Sequence, residues 1–311
     1  MAEQKTLKTK NKAEFIGYLK EVNLEKKKND DKENFISGVI TLKYGEKPNQ
    51  QVDVKIYKKE LTSGGSVAKA YEKLMEIMEH GVTVDTATEE KTATVVRIYG
   101  NGDFTPQVVL NEYFREDESH VMSPQAEMGF GNMAINSVGE QSFKAEFDME
   151  IILSKDPIME KDKNDDETGR LVVDGYMVTY KNEIKPMSFV AEDQDLVDGM
   201  VELSKGDMVN IWGNVSTGKI VEVQEKKSGF GGKAKTDETI TYVNELVITG
   251  GEPIESDDKR AEVVGSIKKM LGERETLLDE LKNKKSESKP KSGGFSKPSE
   301  TKTKKNKDVP F

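Results

Sequence analysis

Val96-Arg97-Ile98-Tyr99-Gly100-Asn101 and Val209-Asn210-Ile211-Trp212-Gly213-Asn214 read as one strand written twice. In each, two apolar residues alternate with polar or aromatic ones, the two-residue period of a half-buried strand, and a glycine follows. Three more strings recur in the same order around this one. Lys12-Ala13-Glu14-Phe15 returns as Lys144-Ala145-Glu146-Phe147, Lys28-Asn29-Asp30-Asp31 as Lys163-Asn164-Asp165-Asp166, and Asn111-Glu112 as Asn244-Glu245. Each string alone is weak, but their common order points to an internal duplication.

Working outward, the first unit reads as strands at 15–24, 35–44 and 51–58, a helix at 67–80, and strands at 94–99 and 107–114. The second reads as strands at 147–153, 171–181 and 183–191, a helix at 196–203, and strands at 208–215 and 242–248. Five short strands with a helix between the third and fourth is the order of the OB-fold, a small Greek-key barrel; two unrelated sandwich or α+β domains are the alternative. The helix rests on Val67, Ala70, Tyr71, Leu74, Ile77 and Met78 at intervals of three and four, with Gly81 as its stop. Gly38 and Gly175 hold matching strand positions, where a missing side chain lets a barrel strand bend. The expected fold is mainly β: two tandem OB-fold-like five-stranded barrels, a C-terminal helix and a disordered tail. The expected boundaries are a flexible N-terminus (1–11), a first domain (12–117), a linker (118–141), a second domain (142–254), a helix (255–284), a basic tail (285–307) and a terminal tip (308–311).

Composition narrows the chemistry. No cysteine and only two histidines, His80 and His120, leave little for thiol nucleophiles, metal cages or a Ser/His/Asp triad, so the reading is of a protein without a cofactor or metal and not an enzyme. No apolar run is long enough for a membrane helix, and a cytoplasmic protein is expected. The formal charge of -10 argues against a generic polyanion binder, but charge is segregated. From Lys282 to Lys307 there are ten lysines and two glutamates, so that stretch carries +8 and the rest about -18.

Candidate contact residues follow from strand parity. Ile36, Ile40 and Leu42 face the core, as do Val52, Val54 and Ile56, which leaves Lys55 and Tyr57 on the opposite face with Lys43; Tyr176, Val178 and Tyr180 share one face in the second unit. Such faces can offer rings for base stacking and cations for phosphate. In the repeated strand Arg97 and Tyr99 alternate with the apolar residues as Asn210 and Trp212 do, so Tyr99 and Trp212 hold equivalent positions, and a ring there is either a barrel lid or a base platform. An insertion in the last hairpin, Lys226-Lys227-Ser228-Gly229-Phe230-Gly231-Gly232-Lys233-Ala234-Lys235, places Lys226, Lys227, Lys233 and Lys235 around Phe230 on a glycine-rich loop that could close over a strand. Two other signals are set aside. Asp162, Asn164, Asp166 and Thr168 have calcium-loop spacing but lack the turn glycine and the closing Glu, and no phosphate-binding GxxxxGK occurs.

Beyond Ile254 a stripe of Val263, Val264, Ile267, Met270, Leu271, Leu277, Leu278 and Leu281 predicts a helix that packs on the second barrel, self-associates or meets a partner. A Lys-, Ser- and Pro-rich tether follows, too poor in apolar residues to order itself. It ends in Asp308-Val309-Pro310-Phe311, an apolar anchor beside a carboxylate, suited to a basic-rimmed hydrophobic pocket. This ending resembles the tip of bacterial and phage single-stranded DNA-binding proteins, which closes with acidic residues and Ile/Leu/Val-Pro-Phe and recruits repair and replication enzymes. The resemblance implies single-stranded DNA as ligand, partner capture by Asp308, Val309, Pro310 and Phe311, and a phage-encoded variant of the family acting in a bacterial cell. Two features depart from that family: its members usually carry one OB domain and form tetramers, and their tip is acidic where this tail is basic up to Lys307. The first reading is a sequence-tolerant coat for single-stranded DNA in replication, recombination and repair. The rivals are an adaptor whose barrels bind protein and an RNA-binding regulator that would prefer oligo(U).

Overall fold

The computed structural model describes residues 9–102, 105–115, 119–179, 183–226 and 235–255, and in the terminal helix 267, 270–276, 278, 279 and 282; for 219–242 it describes backbone alone. Alternation of apolar and polar residues lays out the strands. In the first half these are β1 (Asn11–Lys28), β2 (Asn34–Lys43), β3 (Gln51–Lys59), then helix α1 (Lys69–His80), β4 (Val95–Tyr99), β5 (Gln107–Phe114), β6 (His120–Glu127) and β7 (Asn132–Ile135). The second half has β8 (Lys144–Leu153), β9 (Ile158–Lys161), β10 (Glu167–Val178), β11 (Ile184–Ala191), helix α2 (Gln194–Met200), β12 (Met208–Lys226) and β13 (Lys235–Pro253).

Two rings close with one pairing order. In the second, β8 pairs β10, β10 pairs β11, β11 runs parallel to β13, β13 pairs β12, and β12 returns to β8. In the first, β1 pairs β2, β2 pairs β3, β3 runs parallel to β6, and β7, four residues beyond β6, pairs β4, which returns to β1. Both are OB-type barrels, and the described residues of 267–282 are helical.

The last strand of the first barrel differs from expectation. Gln107–Phe114 does not close the ring but leaves it as the outgoing arm of a hairpin with β6. Closure falls to β6 and β7, inside the stretch 118–141 that reads as a linker. Only Ala126 of β6 is buried, so a projecting arm carries almost no apolar alternation to betray it. For the same reason Asn111-Glu112, on an outgoing arm, is not the counterpart of Asn244-Glu245, on the returning arm β13. The Lys-Asn-Asp-Asp strings are also offset by two. Asn29 accepts the backbone N–H of Glu33 and Asp162 that of Asp166, each with a left-handed residue three positions on, Lys32 and Asp165. The Asp162 carboxylate caps its turn, and the N–H groups of Asn164 and Asp166 hold it below its ordinary pKa.

The core faces of β2 and β3 follow parity: Ile36, Ile40, Leu42, Val52, Val54 and Ile56 are all buried. Helix α1 seats Ala70, Tyr71, Leu74 and Ile77 on the barrel. Val67, expected in that stripe, precedes the helix and bridges Leu61 instead, with its side chain exposed. Helix α2 begins at Asp193, whose carboxylate accepts from the N–H groups of Asp195 and Leu196.

The barrels share one sheet. β1 lies antiparallel to β8 with Ala13 opposite Phe147, Glu14 opposite Glu146 and Phe15 opposite Ala145. The first repeated string therefore pairs with its own copy, which sets a local two-fold axis between Glu14 and Glu146. Farther out, the β12–β13 hairpin crosses the first barrel: Tyr44 donates to the Val215 carbonyl at 2.8 Å and Thr217 to that of Gln51 at 2.7 Å. Burial raises the Tyr44 hydroxyl to about 12.

Candidate nucleic-acid interface

Three concave surfaces matter. The first lies on the seam. Across β1 and β8 it is lined by Lys12, Glu14, Arg97, Tyr99, Lys144, Glu146, Asp148 and Trp212, around about 540 Å³. Strand pairing sets Glu14 and Glu146 opposite each other, a destabilising juxtaposition unless cations intervene. They do: Lys144 reaches Glu14 at 3.0 Å and Glu146 at 2.8 Å, and Arg97 reaches Glu14 at 2.7 Å while lying 4.6 Å from the centre of the Tyr99 ring. Burial pushes the Glu14 carboxyl up, but its hydrogen bonds to Lys144 and Arg97 outweigh that and hold it below its ordinary 4.5. A carboxyl lowered on folding adds stability above its unfolded pKa and loses it as pH falls through the folded value. Glu14→Gln is therefore expected to lower Tm at neutral pH, with the gap to the parent closing below about pH 4. Melting curves across pH check this, and a gap independent of pH would refute it.

Trp212 is 40% exposed and lies against the backbone of Gly250, where an added Cβ would come within 2.4 Å of the indole nitrogen. Tyr99 is half-buried. The two repeated rings do meet in one groove, yet two of its cations, Arg97 and Lys144, are matched by carboxylates.

The second surface belongs to the first barrel alone. Parity turns Lys55, Tyr57 and Lys59 outward on β3, and the tight turn after β6 presents Phe130 beside them. Gly129 adopts φ +50, and Gly131 donates its N–H to Met128 at 2.8 Å, so the turn holds Phe130 at its apex. Tyr57 is 51% and Phe130 62% exposed, and Phe35 packs on Tyr57 at 5.1 Å between centroids. Lys55, Lys58, Lys59, Lys69, Leu61 and Glu127 complete the lining of a groove of about 1000 Å³. Lys58 donates to the Gly131 carbonyl at 3.2 Å, and burial lowers its pKa. Lys59 meets Glu33 at 2.6 Å and Lys55 meets Glu127 at 3.6 Å. Exposed pairs of this kind are worth little and yield readily to a phosphate. On an acidic chain this is a local surplus of cations next to exposed rings.

Lys55 also lines the third surface, a polar cleft of about 480 Å³ with Val39, Asp53, Asn111, Gln125 and Asn244, under the crossing hairpin. The two grooves thus run on from each other over the outer face of β2, β3 and β6.

Other expected residues lie elsewhere. Lys43 shares the face of Lys55 but pairs with Gln51 and meets Glu46 at 3.6 Å, so it lies four residues, roughly 13 Å, along from Lys55 and not beside it. Tyr176 is no open platform: it packs with Ile152, Val178 and Ile184 beneath Ile267 and Met270 of the terminal helix. The helix thereby takes one of its three expected roles, packing on the second barrel. Tyr180, Lys227, Phe230 and Lys233, and the tip Asp308, Val309, Pro310 and Phe311, lie outside the described residues, as do the side chains of Lys226 and Lys235. Among the described residues no His, Asp and Glu cluster could hold a metal, and no helix is long and apolar enough to cross a membrane.

The profile of the YorF family matches residues 10–284, through both barrels and into the terminal helix. The chain belongs to the YorF family. Curated proteins give no match. Among solved structures, the YorF chain is similar to the wild-type single-stranded DNA binding protein from Thermus aquaticus, at 9% identity and a TM-score of 0.44, over 80% of this chain and 95% of that one. A deletion mutant of the Thermus aquaticus protein is similar at 11% identity and a TM-score of 0.42, over 80% of this chain and 97% of that one.

Proposed function

We propose that the chain binds single-stranded DNA without sequence preference, along the outer face of β2, β3 and β6 in the first barrel. The observation that carries this is the groove in which Tyr57 and Phe130 stand exposed among Lys55, Lys58, Lys59 and Lys69. Large rings exposed on a protein surface mark contact sites, and every base offers a π-face to such a ring whatever its identity. Lysines on both sides reach the phosphates, and a duplex, whose bases are already stacked, cannot use the rings. The role is binding and protection of unpaired strands in replication and recombination, not catalysis. Asp308, Val309, Pro310 and Phe311 would recruit the proteins that act on the coated strand, by ring and carboxylate together.

Fluorescence anisotropy of labelled oligo(dT) tests the proposal against a duplex of equal length and against oligo(U). The expected result is preference for oligo(dT), with log affinity falling against log salt at a slope of roughly -2 to -3, as three or four lysine–phosphate contacts on a single strand require. Equal affinity for the duplex would remove the stacking role of Tyr57 and Phe130, and preference for oligo(U) would make the ligand RNA. Trp212 gives an independent reading of the path: its emission changes if the strand continues to the seam and stays constant if it keeps to the first barrel.

A further inference from the structure

The same strand positions carry different chemistry in the two barrels. Gly38 faces Ile56 across β2 and β3, and Gly175 faces Met187 across β10 and β11. Aligned on those glycines, Lys55 corresponds to Pro186, Tyr57 to Ser188 and Lys59 to Val190. The exposed ring and cations of the first barrel thus give way to small or aliphatic residues in the second. Two cations near that second face are already held: Lys155 meets Asp174 at 2.8 Å, and Arg170 meets Glu245 at 2.5 Å and Glu160 at 3.3 Å.

One end of that face is also covered, at Tyr176, Val178 and Ile184, which stand where the first barrel has Val39, Thr41 and Asp53. Val178 is 1% and Ile184 4% exposed, because Ile267 and Met270 of the terminal helix, both buried, pack on them with Ile152, Tyr176 and Met208. Four residues beyond Met270, one helical turn along, Arg274 grips both oxygens of Glu112 on β5 of the first barrel, with Nη1 to Oε2 at 2.9 Å. Both side chains are largely withdrawn from water, at 13% and 8% exposure, and His120 stands 3.4 Å from the same carboxylate. One helix therefore caps the second barrel and is tied to the hairpin of the first.

We propose that this helix is a strap that closes, on the second barrel, one end of the outer face along which the first holds its strand, and that Arg274 and Glu112 latch it there. One chain then engages single-stranded DNA through one barrel. The identity of the ligand rests on the proposed function; the closure rests on the packing alone.

Two measurements test it. With oligo(dT) of increasing length, affinity should climb to about 8–16 nucleotides, a single-barrel footprint, and then rise only with the number of registers available. Affinity that keeps climbing to about twice that length, at one chain per oligonucleotide, would overturn the proposal. Arg274→Ala breaks the latch without touching the groove. Limited proteolysis within 267–282 should quicken by about fivefold or more while oligo(dT) affinity stays within about twofold. A helix as protected as in the parent protein would overturn the latch, and a variant gaining about tenfold in affinity would show that the second barrel binds once uncovered. Absence of any oligo(dT) binding by the parent chain would instead refute the proposed function, with the proteolysis result still reading the strap.

Discussion

Replacing Tyr57 and Phe130 together by alanine is expected to weaken oligo(dT) binding by roughly 30-fold to 10⁴-fold, the equivalent of about 2 to 6 kcal/mol at 1 to 3 kcal/mol for each stacked base. Tyr57 stands on a strand whose alternate residues Val54 and Ile56 are buried, and Phe130 stands on a turn held by Gly129 and Gly131. Neither ring belongs to the core: Tyr57 packs on Phe35 at the surface, and Tyr57 and Phe130 are both more than half exposed. Melting temperature should therefore change little while affinity collapses. The two rings line one groove, and their effects need not add, so the single variants should be measured beside the double. Tyr113→Ala is a fair control: its ring is 44% exposed on β5 but lines none of the three surfaces described, and it should alter affinity by no more than about twofold. A double variant that binds within about threefold of the parent would remove the first-barrel groove from the binding path.

The largest effect on stability is expected from Gly38→Ala. Gly38 sits at φ +145, a conformation that side chains of natural hand rarely adopt, and an added Cβ would lie 1.9 Å from the Asn23 carbonyl oxygen and 2.9 Å from its carbon. Those atoms belong to β1, so relief requires breaking the β1–β2 pairing on which the first barrel closes. Strain of about 1 to 3 kcal/mol from the backbone angle and the clash together should exceed about 4 kcal/mol, enough to unfold a marginal barrel. Gly175→Ala is the internal comparison. Its Cβ would meet the end of the Ile151 side chain at 2.8 Å and the Ile152 carbonyl at 2.9 Å, without a positive φ. Thermal denaturation should show Gly38→Ala far more damaging than Gly175→Ala. Equal losses, or a Gly38 variant melting within about 2 °C of the parent, would contradict this reading of the bend.

What could be read from the chain alone was short-range. The parity of β2 and β3, the outward position of Lys55 and Tyr57 and the α1 stripe all depend on neighbours two to four residues away. Phe130 was within reach too: Gly129-Phe130-Gly131 has the same form as Gly229-Phe230-Gly231, but it stands without flanking lysines, and its cations come from Lys55, Lys58, Lys59 and Lys69 on other elements. β6 escaped because an arm projecting into water has no apolar face to display, and the offset between the two capped turns escaped because a turn is defined by hydrogen bonds and not by its string of residues.

The remaining features required contacts between distant residues. Pairing of β1 with β8 joins residues more than a hundred positions apart, and nothing in either strand names its partner, since any apolar strand edge can take another. Only there do Glu14, Arg97 and Lys144 converge. The terminal helix could have packed, self-associated or bound a partner by its stripe alone; its seat on Tyr176, Val178 and Ile184, with Arg274 reaching Glu112, follows from the shape and charge of two barrels already folded. Local alternation determined which residues turn inward on each strand, because the pleat repeats every two residues. Which outward residues stay open to a ligand was decided by the tertiary structure, because coverage depends on whatever else packs there.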